Sequence, residues 1–111
     1  MKEAKLTRRA ESRLEEIASW TISRFGLAQA NKYERQLIER LRALAKGELP
    51  RGRACDLLVR GLTGAVGLSY IREGGHFIIY RETDDQIQVI DFVHGARDIE
   101  AFLRELGDPE S

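Results

Sequence analysis

The hydrophobic period of this chain changes once, near Ala65, and that change limits what it can fold into. Ahead of it, Ala10, Leu14, Ile17, Ala18, Thr21 and Phe25 recur at i, i+4, i+7, i+8, i+11 and i+15. At roughly 100° per residue this is one narrow helical stripe. Thr7 stands where an N-cap belongs and Gly26 supplies the stop. A second stripe follows through Ala30, Tyr33, Leu37, Leu41, Leu44 and Ala45, closed by Gly47 and Pro50. Beyond Ala65 the runs "AVGLSYIR", "HFIIYRE" and "QIQVIDFV" are short, β-branched and aromatic, and separated by "EGG" and "TDD". Links that short make consecutive strands antiparallel neighbours.

The fold expected is therefore α+β, with an N-terminal helical hairpin packed on a twisted antiparallel sheet and a short C-terminal helix. A short strand is expected around Glu3–Leu6. The segment "LPRGRACDLLVRGLTG" reads as a connector, with Leu57–Val59 a turn of helix or a strand. Asp98 can cap the last helix, which would turn Ile99, Phe102, Leu103 and Leu106 inward and end at Gly107. The length of 111 residues suits one domain, 1–111, with a core that needs no disulfide staple. Cys55 is the sole cysteine, which fits a cytoplasmic protein, and no run approaches the length of a membrane span.

A zero net charge conceals an asymmetry. Residues 1–81 carry 16 Lys/Arg against 9 Asp/Glu, and residues 82–111 carry 2 against 9. A basic body can attract an acidic partner or be an ordinary solvated face. Trp20 lies on the flank of the first stripe, about 80° off it. It is either covered by the sheet or left as an anchor for a partner.

No strong catalytic motif is present: there is no phosphate-binding glycine loop, no HExxH and no Cys/His metal spacing. Metal-independent RNA cleavage needs a proton acceptor, a proton donor and cations for the developing charge. His94 with Arg97, helped by Arg81, are the candidates for these parts, against plain roles at a strand end and in surface pairs. His76 reads as a strand-start residue and Tyr80 as core or site. Asp84–Asp85 and Glu15–Glu16 fit a turn and a polar helix face.

From about Leu6 to Leu106 the chain resembles the ParE branch of the ParE/RelE superfamily of bacterial type II toxins. The resemblance rests on "LTRRAESRLEEIASWTISRFG", "AQANKYERQLIERLRALA", the "RGR" connector and "GGHFIIYRETDDQIQVIDFVHGARD". Its most specific part is a glycine, a His, an apolar pair, Tyr-Arg, then a hydrophobic strand ending in His and followed by Arg-Asp. The resemblance implies a toxin neutralised by a cognate ParD-like antitoxin, whose flexible segment folds as a helix in the groove of the helical hairpin. Trp20, Tyr33, Leu37 and Arg81 are the antitoxin-binding candidates. It further implies DNA gyrase as the target through protein contact, with no cofactor, no membrane and no direct DNA binding by the toxin alone.

The competing branch is RelE-like and cuts mRNA on the ribosome. It places basic residues on the first long strand and the next, an Arg after the last strand, and an aromatic in the closing helix. Here Leu68, Tyr70, Phe77 and Leu103 occupy those positions and only Arg97 matches. The gyrase-directed reading is therefore favoured, with the endonuclease as its alternative. A relic that binds an antitoxin without toxicity would look the same in sequence.

Overall fold

A computed structural model describes residues 2–48, 52–55, 67–95, 101 and 104. The chain opens with β1 (Glu3–Leu6), followed by α1 (Arg8–Phe25) and α2 (Leu27–Ala45). Then come β2 (Arg53–Ala54), β3 (Leu68–Glu73), β4 (His76–Glu82) and β5 (Gln86–Val93). The five strands form one sheet in the order β1-β5-β4-β3-β2. The pairs β3/β4 and β4/β5 are antiparallel, as their short links require, and β2 also pairs antiparallel with β3. β1 joins β5 in parallel, so the sheet is mixed at this edge. Between β1 and its partner β5 the chain runs through the helical hairpin and the other three strands, which gives the long crossover that a parallel pair needs.

Gly26 alone joins the two helices. Its φ of +91° lets it end α1, where its N–H donates to Ile22 O at 2.9 Å, while it begins α2. The Thr7 hydroxyl caps α1 by accepting from Ala10 N. The same hydroxyl donates to the carbonyls of Val89 and Ile90, at 2.9 and 3.1 Å, fastening the helix start to β5.

The hairpin covers one face of the sheet. Ala10, Leu14 and Ile17 of α1 and Leu37, Leu41 and Leu44 of α2 meet Ile71, Ile78, Tyr80, Ile87, Val89 and Phe92. Burial of each of the larger side chains contributes about 1.5–3 kcal/mol. On the other face a smaller cluster holds Cys55, Leu68, Ile79 and Val93, with Tyr70, Phe77 and Ile90 against it.

Three readings of the sequence are decided by the structure. Phe25 was placed on the core stripe, yet it is 65% exposed, because α1 ends beyond the edge of the sheet that covers Ala10 to Thr21. Trp20 is 53% exposed, so the sheet does not pack over it. Arg53–Ala54, read as part of a connector, pairs with Tyr70 and Ser69 as an edge strand. Leu57–Val59, Arg97 and the core positions of the closing helix lie outside the described residues; Ala101 and Arg104 have helical backbone.

Candidate functional site

β5 carries a bulge that shapes the molecule's main groove. The register steps from Ile79↔Asp91 to Tyr80↔Val89, leaving Ile90 without a partner on β4. The bulge shifts the alternation of faces: Ile87 and Val89 before it and Phe92 after it all join the helix-side core, and Val93 joins the other. Asp91 sits at the shift, fully buried. A buried carboxylate is tolerated when its oxygens are paired and hydrogen-bonded. Arg9 Nε donates to Oδ2 at 3.0 Å, Arg13 Nε to Oδ1 at 3.2 Å, and Phe92 N to Oδ1 at 2.8 Å. Arg9 and Arg13 stand at i and i+4, so one face of α1 presents both guanidiniums to the bulge. The hydrogen bond to Asp91 is the main influence raising the Arg13 pKa above its ordinary value.

Beside this anchor runs an open groove of about 1060 Å³. One end is apolar, formed by Ile17, Thr21, Trp20 and Phe25. The Trp20 and Phe25 rings meet edge-on with centroids 6.0 Å apart, and Arg24 Cζ lies 5.2 Å from the Trp20 ring centre. The other end is polar, formed by Arg9, Arg13, Tyr33, His76 and His94. Ile22 and Leu27 add exposed apolar surface at the helix corner.

Tyr33 reaches from α2 to the β3–β4 turn. Its hydroxyl oxygen lies 2.6 Å from His76 Nδ1, 3.1 Å from Glu73 O, and accepts from Gly75 N at 3.1 Å. The His76 and His94 rings stand edge-to-face, 5.2 Å apart. Burial is the first cause that lowers the His76 pKa below 6.5, and the neighbouring His94 and Arg13 add to it. Burial likewise raises the Tyr33 hydroxyl above 10.0.

The residues singled out from sequence fall in different places. Trp20 and Tyr33 line the groove together with His94. Leu37 lies wholly in the core and offers no surface. Arg81 pairs in register with Leu68, whose side chain belongs to the face away from the helices, so it stands on the opposite side from the groove. Among the described residues, His94 and Arg81 are therefore not brought together. Leu68 is buried, and the Tyr70 and Phe77 rings lie 5.8 Å apart, so those positions carry apolar groups. Tyr80 belongs to the core and donor Gly52 N binds its hydroxyl at 3.0 Å.

Sequence reasoning missed Asp91, Arg9, Arg13 and Phe25 as groove residues. An Asp inside the apolar run "QIQVIDFV", with two arginines four apart on a helix, was the available signal. Nothing local announces the Tyr33–His76 bond, which joins residues 43 apart. Among the described residues no helix is long and apolar enough to cross a membrane, and no cluster of His, Cys, Asp and Glu could hold a metal ion.

Comparison with known proteins places this geometry in a family. Residues 4–99 match the family model described as the ParE toxin of type II toxin–antitoxin system, parDE. Toxin ParE1 of Mycobacterium tuberculosis, in strains CDC 1551 / Oshkosh and ATCC 25618 / H37Rv, is 33% identical over 96 residues. That alignment covers 85% of this chain and 90% of the relative. A solved structure titled "Chromosomal ParDE TA system from P. aeruginosa" superposes with a TM-score of 0.64 at 19% identity. It covers 85% of this chain and 96% of its own, and attests the fold.

Proposed function

The chain belongs to the ParE toxin family of type II toxin–antitoxin systems, and from that premise we propose that it arrests growth by contact with DNA gyrase and is silenced by a ParD-like antitoxin. In this reading the antitoxin lays an amphipathic helix in the groove beside α1, and residues 1–111 act as a single cytoplasmic toxin domain without a cofactor. The observation that carries the docking is the exposure of Trp20 and Phe25 at the groove's apolar end. Large exposed aromatics rimmed by arginines are a usual form of a protein-binding anchor. The apolar groups at Leu68, Tyr70 and Phe77 support contact over RNA cleavage, because a phosphorane needs cations close by.

The test is controlled expression of this chain, alone and with the product of the adjacent reading frame. Alone, it is expected to stop growth with a DNA-damage response, and the neighbouring protein is expected to restore growth. Rapid cutting of mRNA within codons, with intact chromosomes, would overturn the gyrase reading in favour of the endonuclease. Phe25→Asp is expected to weaken relief by the antitoxin at least tenfold in the amount required, since it puts a charge in the apolar seat.

A further inference from the structure

The Tyr33 hydroxyl is held so that the neighbouring imidazole can carry either one proton or two. With His76 neutral and Nδ1 bare, the hydroxyl donates to Nδ1 and accepts from Gly75 N–H. With His76 doubly protonated, Nδ1–H donates to the hydroxyl oxygen, and the hydroxyl proton turns to Glu73 O, 3.1 Å away. Gly75 N–H still donates to the same oxygen. One rotation of a single O–H therefore satisfies both states without moving a heavy atom.

What opposes the imidazolium in the empty groove is its surroundings. His76 is half-buried, and His94 from β5 and Arg13 from α1 both disfavour a further positive charge. Two of the carboxylates nearby are engaged by arginines. Asp91 is bound by Arg9, Arg13 and Phe92 N–H, and Glu16 accepts from Arg13 Nη1 at 3.0 Å. Glu73, the last residue of β3, stands opposite His76 in the strand register, and its charge adds to the upward shift of Tyr33. At this end the Asp91 and Glu16 carboxylates are thus taken up by arginines, and His76 and His94 face the groove without either of them.

We propose that this end of the groove is a proton-coupled carboxylate receptor: an Asp or Glu of the docked helix enters beside His76 and His94, and one proton from solvent is bound by His76 as it does so. The partner is thereby specified further, as a helix with apolar side chains over Trp20 and Phe25 and an acidic residue toward the imidazole pair. This rests on the docking reading above. The sign follows from charge: a partner carboxylate favours imidazolium, so binding draws in a proton and strengthens as pH falls.

The probe is the purified product of the adjacent reading frame, titrated into this chain by calorimetry between about pH 8 and about pH 6, the range in which histidine changes charge. Buffers of different ionisation enthalpy are expected to report uptake of about one proton, with affinity rising by up to about tenfold per pH unit. Binding with no proton exchange, or with release, overturns the receptor and leaves the docking reading intact. No binding at any pH overturns the docking reading and the receptor with it. His76→Asn is expected to abolish the uptake, and uptake that persists overturns the assignment. Should that variant not fold, imidazole NMR of the unaltered chain decides. The His76 midpoint should rise on complex formation, and an unchanged midpoint counts against the proposal. His94→Gln, at an exposed position, is expected to raise the His76 midpoint in the free chain.

Discussion

Two tyrosines, Tyr80 within β4 and Tyr33 on α2, perform the same local task in opposite surroundings. Tyr80 accepts from Gly52 N at 3.0 Å, and Tyr33 accepts from Gly75 N at 3.1 Å. Each ring also presses on a glycine that has no room for a side chain: Tyr80 on Gly52, Tyr33 on Gly74. Yet Tyr80 is buried in the core, and Tyr33 stands half-buried at the wall of an open groove. Sealed from water, the Tyr80 hydroxyl fastens the edge strand β2 to the sheet. At the groove, the Tyr33 hydroxyl meets an imidazole that solvent can protonate. Burial, rather than the hydrogen bond itself, separates a fastener from a responsive group.

The largest expected difference comes from truncating the two rings. Tyr80→Ala should destabilise the fold by about 3–5 kcal/mol in urea unfolding, the cost of removing a buried aromatic ring. Tyr33→Ala should cost about 1–2 kcal/mol, through the hydrogen bonds lost at the turn. Equal losses would mean that the groove wall is as much a part of the core as Tyr80.

Next come the glycines. A Cβ on Gly52 would collide with the Tyr80 hydroxyl and lie 2.8 Å from the Tyr70 carbonyl, so core and backbone both resist it. Gly52→Ala is expected to cost about 2–3 kcal/mol. A Cβ on Gly74 would lie 2.5 Å from Tyr33 Cε1, a ring that can swing toward the open groove, although the φ of +60° adds strain of its own. Gly74→Ala is expected to cost about 1–2 kcal/mol, measured in the same way, and to disturb the His76 titration. A Gly52→Ala chain as stable as the parent would break the contrast.

The smallest effect is in the pH dependence of stability. The folded His76 midpoint lies below 6.5, so the unfolded chain takes up its proton first. Stability from this group is complete above that ordinary value and falls as pH drops through it toward the folded midpoint. Tyr33 acts at the other end: its folded midpoint lies above 10.0, so its contribution is complete below that value and declines above it. The urea midpoint of the unaltered chain should therefore fall on mild acidification, and His76→Asn should flatten that part of the curve.

The helical hairpin was legible from sequence because each helix presents an apolar repeat to one buried face, and β4 and β5 because their β-branched and aromatic runs fill both faces of the sheet. The "EGG" and "TDD" breaks likewise disclosed the meander. What periodicity could not disclose was where the sheet ends beneath a helix. Among the described residues Phe25 continues the α1 stripe without a strand to cover it, and it lines the groove. The bulge at Ile90 left only a faint trace: the alternation of "QIQV" breaks at the apolar pair Val89–Ile90, a break that a strand buried on both faces would also show. Trp20 was legible as a flank residue and Tyr33 as a stripe residue, and both line the groove, whereas Leu37 and Arg81 went to the core and to the opposite sheet face. The Asp91 clasp and the Tyr33–His76 pair join segments distant in sequence, and only the folded topology brings them into contact.

Trp20 is the sole tryptophan of the chain and lies in the proposed seat of the antitoxin helix. That makes it a direct reporter. With 5-fluorotryptophan incorporated into this chain alone, the product of the adjacent reading frame should shift the single fluorine resonance and shield it from a soluble paramagnetic quencher. A complex that forms while the resonance keeps both its position and its exposure would contradict docking in this groove.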